Sequence, residues 1–341
     1  DGISVYLKSG ELCLVLGGSD QSKSTLLRAL SGRLNESDDI SGTILLNGIP
    51  MPRSDRGWRK ICPYVSASDA THAAVLTVRE TFTFAAECTM GNSSDDMIKD
   101  EVDQMMNRLG LSHVADTVVG DENLRGISGG QKRRVTFGEM MLNESCRFMC
   151  CENITDGLSS ADSLGLIENI NSACKNYGCA ALISLLQPSD EIIEIFDKIL
   201  VLTSQGLAYF GPVDRKILAE AFLEEQTDDH HNGSICDFVL KHSLSGSVEE
   251  EMALAKRYAS SEMYKQTVVE LAQLRANAPP AHDRDIHKLV PNDHVTKSAW
   301  YQFSVISARR IKLICRNAVT WTRIVIAIVF GMIIGSLFSA L

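Results

Sequence analysis

The chain has ten cysteines but no pair at C-x-x-C spacing. That absence removes the zinc-ribbon and thioredoxin-type readings. Thiols scattered in this way are expected to be reduced and mostly buried, in a cytosolic compartment. A basic excess is also missing: 33 Lys and Arg face 43 Asp and Glu, a net charge of −10. Nothing offsets phosphate repulsion over most of such a surface, which argues against a nucleic-acid partner. No internal repeat is visible, and the three tryptophans suggest no aromatic cage. What is present is ordinary globular usage, 45% hydrophobic and 22% charged, which excludes a disordered or collagen-like chain. A length of 341 residues allows one large domain or two smaller ones with a real core.

Charge is segregated along the chain. Residues 291–341 carry six basic side chains and one acid, leaving 27 basic against 42 acidic residues, or −15, on the first 290. After Arg323 come eighteen residues without a charge, Ile324 to Leu341. At a helical rise of about 1.5 Å per residue they span roughly 27 Å, close to the hydrocarbon thickness of a bilayer. A buried core helix would be expected to keep a polar face over that length, so the run reads as a membrane span. Basic residues on its N-terminal side put the large acidic part in the cytoplasm. Residues 298–317 read as an amphipathic helix lying along the membrane surface before the span. A single span closing such a module is expected to belong to a longer polypeptide.

Upstream, strands and helices alternate. ELCLVLG (11–17) is an apolar strand, then a loop, then a helix in SDQSKSTLLRAL. Asn47-Gly48 marks a hairpin turn. Helices are predicted over 77–90, 97–111 and 160–176, and strands over 147–151, 179–186 and 198–204. This order implies an α/β architecture with parallel strands. From 213 onward the pattern weakens, and 213–297 reads as linker, including a helical stretch over 249–276.

Two segments carry chemistry. A phosphate-binding loop follows G-x-x-x-x-G-K-[ST], with backbone N–H groups around the phosphates, a lysine on them and a hydroxyl on Mg²⁺. Gly17 to Ser24 reads GGSDQSKS. Gly17, Lys23, Ser24 and the following Thr25 stand in place. Gly18, Ser19, Asp20 and Gln21 fill the loop, and Ser22 replaces the glycine before the lysine. Alone, this match is also compatible with an ordinary strand–helix turn. The second segment places Ser128-Gly129-Gly130-Gln131 at the start of a helix, where free N–H groups and the positive dipole end make an anion site.

In order, LVLGGSDQSKSTLL, ISGGQKRRV, CCENITDGLSSADS, SLLQPSD and FDKILVLTSQGLAYFGP resemble the Walker A, signature, Walker B with D-loop, switch and closing hairpin of ABC transporters. SLLQP, YFGP and ARRIKLICRN resemble the G subfamily, and within it the N-terminal cassette and first span of the full-size pleiotropic drug resistance type. The resemblance implies a P-loop NTPase ATP-binding cassette over 1–212, with an α-helical signature subdomain at about 75–146. The linker (213–297), a connecting helix (298–317) and a first transmembrane helix (318–341) of a truncated membrane domain would follow. It implies ATP with Mg²⁺ as ligands, Ser24 and Glu152 reaching the metal (Glu152 through water), and a second nucleotide-binding domain as partner. It also implies an integral membrane location and export of lipids, sterols or amphipathic xenobiotics.

Departures from the family's motifs bear on activity. Asp20 and Ser22 stand where the family has glycines, and an ionised Asp20 about 4 Å from a phosphate would cost roughly 4 kcal/mol at an effective dielectric of 20. The Q-loop glutamine aligns near Ala67. Glu152-Asn153 replaces the usual Asp-Glu, and a neutral amide cannot act as a general base. The D-loop aspartate aligns with Ser159. The switch histidine aligns with Leu186, and no histidine lies between His113 and His230 to replace it. The chain's own site is therefore expected to hydrolyse feebly. Its intact Ser128–Gln131 signature would complete the ATP site of a partner cassette. A self-dimerising half-transporter with two equivalent sites and a nucleotide-free membrane scaffold remain the alternatives. His230-His231 reads as a solvated loop, Lys132-Arg133-Arg134 as an exposed helix start, and Tyr6 as a poor substitute for an adenine-stacking aromatic.

Overall fold

The computed structural model describes residues 2–34, 41–51, 56–66, 72–90, 93–142, 146–222, 234–244, 247–277, 298–316, 321–322, 326–332 and 334. They divide into two compact units: Asp1–Asp69 with Asn143–Asn292, and Ala70–Leu142 with Asp293–Leu341.

The first unit is built on a six-stranded sheet. Its strands are β1 (Leu12–Gly17), β4 (Tyr64–Val65), β5 (Phe148–Glu152), β6 (Ala180–Ser184), β7 (Lys198–Thr203) and β8 (Gly206–Pro212). The order is β4-β5-β6-β1-β7-β8, parallel throughout except for the β7–β8 hairpin. Strands β1, β5 and β6 are apolar runs rather than alternating ones because both sheet faces are covered, as parallel sheets require. A separate hairpin of β2 (Ile44–Leu46) and β3 (Ile49–Met51) turns at Asn47 and Gly48, both at positive φ (50° and 78°), the conformation that favours this dipeptide. Helix α1 (Asp20–Leu30) follows β1. Helix α2 (Arg56–Ile61) buries Trp58, whose indole N–H donates to the Leu30 carbonyl at 2.7 Å. The ten cysteines are free thiols, eight of them buried.

The stretch expected as linker is instead part of this unit. After α3 (Val78–Thr89), α4 (Asp95–Arg108) and α5 (Gly129–Met141) of the second unit, the chain returns for α6 (Ser160–Tyr177) and α7 (Asp190–Ile193). It then forms α8 (Arg215–Phe222), α9 (Ile235–Leu244), α10 (Val248–Ser260) and α11 (Glu262–Ala276). Helix α9 packs on β1 and β7, and α10 on β8. Buried Tyr258 donates its hydroxyl to the Phe210 carbonyl at 3.1 Å, and Glu251 accepts from the backbone N–H and hydroxyl of Ser204. The polar face of α10 hides this docking from composition alone, because one aromatic and one carboxylate carry much of it.

The second unit is helical. A capping box between Thr77 and Glu80 starts α3, and another between Ser128 and Gln131 starts α5. Helices α3 and α5 come so close that a Cβ at Gly138 would lie 2.5 Å from the Phe82 ring. Helix α12 (Ala299–Arg316) lies against α3: Arg309 sits 4.1 Å over the Phe84 ring, while Lys312 and Arg316 bond the Glu80 carboxylate. Trp300, Phe303 and Ile306 of α12 are exposed. Among the described residues no helix is long and apolar enough to cross a membrane. Most of the span expected over 318–341 lies outside them.

Burial alone would raise the Glu80 carboxyl, but Arg316, the Thr77 N–H and Lys312 together lower it to about 2. A depressed folded-state value means the α12 attachment is fully present above the ordinary carboxylate range. It is lost as pH falls towards 2. Protection factors over 299–316, which are exchange rates relative to the intrinsic rate at each pH, should therefore fall between about pH 4.5 and 2. Glu80→Gln should weaken the attachment by about 1 kcal/mol at neutral pH and flatten that pH dependence.

Candidate functional site

The sheet order brings the C-terminal ends of β1, β6 and β5 side by side, with Ser184 in register with both Val15 and Glu152. Ligands of open α/β sheets bind beyond such strand ends. Strand β1 ends at Gly17, where a Cβ would lie 2.8 Å from the Leu202 carbonyl of β7, so close strand packing demands the glycine. Gly18, Ser19, Asp20 and Gln21 are exposed. Ser19 caps α1 by accepting from the Ser22 N–H at 3.4 Å.

Lys23 is 3% exposed, and its ammonium lies 2.9 Å from the Asp20 carboxylate, whose side chain is 61% exposed. Helix α9 borders the lysine: burial, Asp237 and Asp190 push the Cys236 thiol up to about 11 against the pull of Lys23. Thr25 points to solvent, one residue past Ser24.

The Ser24 hydroxyl donates to one oxygen of Glu152, and the Tyr64 hydroxyl donates to the other. Arg28 of α1 donates to the Tyr64 oxygen at 3.2 Å. Burial, together with Glu152 and against Arg28, raises the phenol to about 12. Tyr64 was not singled out from the sequence. Its relevance comes from β4–β5 register, Tyr64 opposite Cys150 and Val65 opposite Cys151, across more than eighty residues of chain.

Asn153 has φ +42°, a left-handed conformation that asparagine tolerates better than most residues. It is buried, its N–H donates to Ser184 Oγ at 3.1 Å, and its Oδ1 accepts from the Ser184 hydroxyl at 3.1 Å. The amide is thus turned into the sheet. Leu186 is 42% exposed and, with Asp156, Gly157, Gln187 and Asp237, lines an open cleft of about 460 Å³. Ser159 caps α6 and bonds Asp162. Tyr6 packs edge-on against Phe210 under the Lys198 ammonium, which explains its poor fit as a base-stacking residue. Ala67, His230 and His231 lie outside the described residues.

In the second unit, Ser128, Gly129, Gly130 and Gln131 form the first turn of α5. The Gln131 N–H donates to Ser128 Oγ and the Ser128 N–H to Gln131 Oε1, at 3.2 and 2.9 Å. A Cβ at Gly129 would meet nothing within 4 Å. No group of three or more His, Cys, Asp or Glu among the described residues could hold a metal ion. A single carboxylate with a serine is the sparse donor set that Mg²⁺ uses when phosphates supply the remainder.

Residues 1–153 match the family model described as ABC transporter. Over 99% of its length the chain is 32% identical to ABC transporter G family member 3 of Dictyostelium discoideum, and 32% identical to G family member 2 of the same organism. It spans about a quarter of those relatives, 26% in each case. Among solved structures, cbiO1 of Clostridium perfringens, part of the ABC transporter complex cbiONQ, superposes with a TM-score of 0.53 at 23% identity, covering 65% of this chain and 87% of that one. A nucleotide-free ATP-binding cassette from an ABC transporter gives a TM-score of 0.51 at 18% identity, covering 63% and 85%. The fold is that of an α/β ABC ATPase cassette. In sequence the chain is similar to G-family ABC transporters, and its first 153 residues are similar to the ABC transporter family.

Ser184 is fully buried and satisfies both the N–H and the carboxamide oxygen of Asn153. Ser184→Ala strands both groups and should lower stability by about 1–3 kcal/mol, read as a shift in the urea midpoint without a change in slope.

Proposed function

We propose that this chain is the nucleotide-binding arm of an ATP-driven membrane exporter, holding nucleotide at a site with little hydrolytic power of its own and completing the ATP site of a second cassette. The residues fit MgATP: a buried ammonium (Lys23) and a helix N-terminus for phosphates, with Ser24 and Glu152 for the metal. When bound, the metal would neutralise phosphate charge. Tyr64 and Ser24 fix the Glu152 carboxylate in the direction of the loop, and Asp20 and Lys23 set the local charge.

One observation carries the weak-hydrolysis reading: the carboxamide at the position of the catalytic glutamate is bonded to Ser184, inside the sheet. An amide takes no proton from water, and Leu186 at the switch position offers neither donor nor acceptor. Loss of a positioned base costs about 10²–10⁴ in rate, and further losses in the same unit do not multiply. Gly129, with open space around it, supports an undamaged signature that a partner's nucleotide can approach. The reading extends to a membrane span over 318–341, with α12 resting on the bilayer surface through Trp300, Phe303 and Ile306, and to lipid, sterol or amphipathic cargo.

The internal pairing of Lys23 with Asp20 favours a second reading, a membrane scaffold that takes no nucleotide. Thermal denaturation separates the two, since MgATP at about 100 times Kd adds roughly 2.7 kcal/mol to a binder and nothing to a scaffold. The purified chain should be stabilised by MgATP while turning it over at least about 100-fold more slowly than cassettes with a glutamate base, and Asn153→Ala should not change that rate. Fast turnover by the unaltered chain would remove the weak-site reading in favour of a self-dimerising half-transporter.

A further inference from the structure

We propose that Asp20 is a built-in counter-anion: its carboxylate holds the Lys23 ammonium where a nucleotide phosphate would be held, and nucleotide enters by exchange with it. The proposal rests on the loop being a nucleotide site.

Lys23 is 4% exposed at its side chain, and an ammonium buried to that degree requires an anion. Asp20 supplies it from the first residue of α1, three positions earlier, where the helical repeat puts both on one face. There the carboxylate meets two attractions at once, the ammonium at 2.9 Å and the positive end of the helix. These are the two features that make such a loop attractive to phosphate. The other polar groups of the site are satisfied internally in the same way: the Ser22 N–H by Ser19, and Ser24 and Tyr64 by Glu152. With its 61% exposure, the Asp20 side chain has room to swing into solvent and release the lysine. A glycine here would hold no anion, so the lysine would stand ready for a ligand.

Two consequences follow because a phosphate must displace the carboxylate from the ammonium. The site binds polyphosphate more weakly than the same loop without the carboxylate, and the penalty grows with the number of phosphates. A unit charge at about 4 Å costs between fivefold and a thousandfold in affinity as the effective dielectric runs from 80 to 20. The exposure of Asp20 selects the low end, about tenfold. The same carboxylate stabilises α1 when no ligand is bound, so its removal should tighten binding while lowering the melting temperature of the free chain.

The experiment is equilibrium binding of the fluorescent Mg²⁺ complexes of N-methylanthraniloyl ATP, ADP and AMP to the full chain, with Asp20→Asn, Lys23→Ala and the double variant alongside. Asp20→Asn should tighten the ATP analogue about tenfold, the ADP analogue less and the AMP analogue not at all, and in the Lys23→Ala background the gain should vanish. Wild-type binding that Asp20→Asn leaves unchanged, or a gain that survives Lys23→Ala, would overturn the counter-anion and leave the nucleotide site standing. Failure of both the wild-type chain and Asp20→Asn to bind any analogue at millimolar concentration would remove the nucleotide site itself, and the counter-anion with it.

Discussion

Everything at the candidate site is organised around one carboxylate. Glu152 ends β5 and is 8% exposed, and its two oxygens are held by Ser24 of α1 and Tyr64 of β4. A buried carboxylate is tolerable only when its acceptor capacity is used. The pairing therefore ties the phosphate loop, the end of β5 and the edge strand β4 into one arrangement. The Glu152 carboxylate meets both hydroxyls at once.

The neighbouring strand repeats the pattern with a different outcome. At the end of β6, Ser184 bonds Asn153 through both backbone and side chain, so the residue that follows Glu152 is turned into the sheet. A left-handed backbone at Asn153 makes this possible, and asparagine suits it. An asparagine at this position is one that the local backbone accommodates well. Polar groups that would otherwise face a ligand are partnered by protein, which gives the loop a stable form of its own.

The α/β order was legible because buried parallel strands leave a near-continuous apolar signature, as in LCLVLG and KILVLT, and because Asn47-Gly48 dictates a turn. The strand, turn and helix around Gly17 were legible from the apolar run before it and the helical spacing after it, although the sheet adds a packing reason for Gly17 that no motif carries. Tyr64 was not legible, since its meeting with Glu152 depends on strand order across the whole sheet. The pairing of Asp20 with Lys23 lay within reach of helical spacing, yet the sequence alone suggested only repulsion from phosphate. Residues 213–297 read as linker because the strand–helix alternation stops there, while the docking of α10 rests on a few specific contacts, Tyr258 on Phe210 and Glu251 on Ser204.

The division between a weak site of its own and an intact signature is tested most directly by transport in the complete assembly carrying one of two substitutions. Gly129→Val adds a side chain where nothing lies within 4 Å, so it should fold normally yet block the approach of a partner's nucleotide. Lys23→Ala disables only the chain's own loop. Transport abolished by Gly129→Val and largely retained with Lys23→Ala is the expected result. Undiminished transport with Gly129→Val would contradict it.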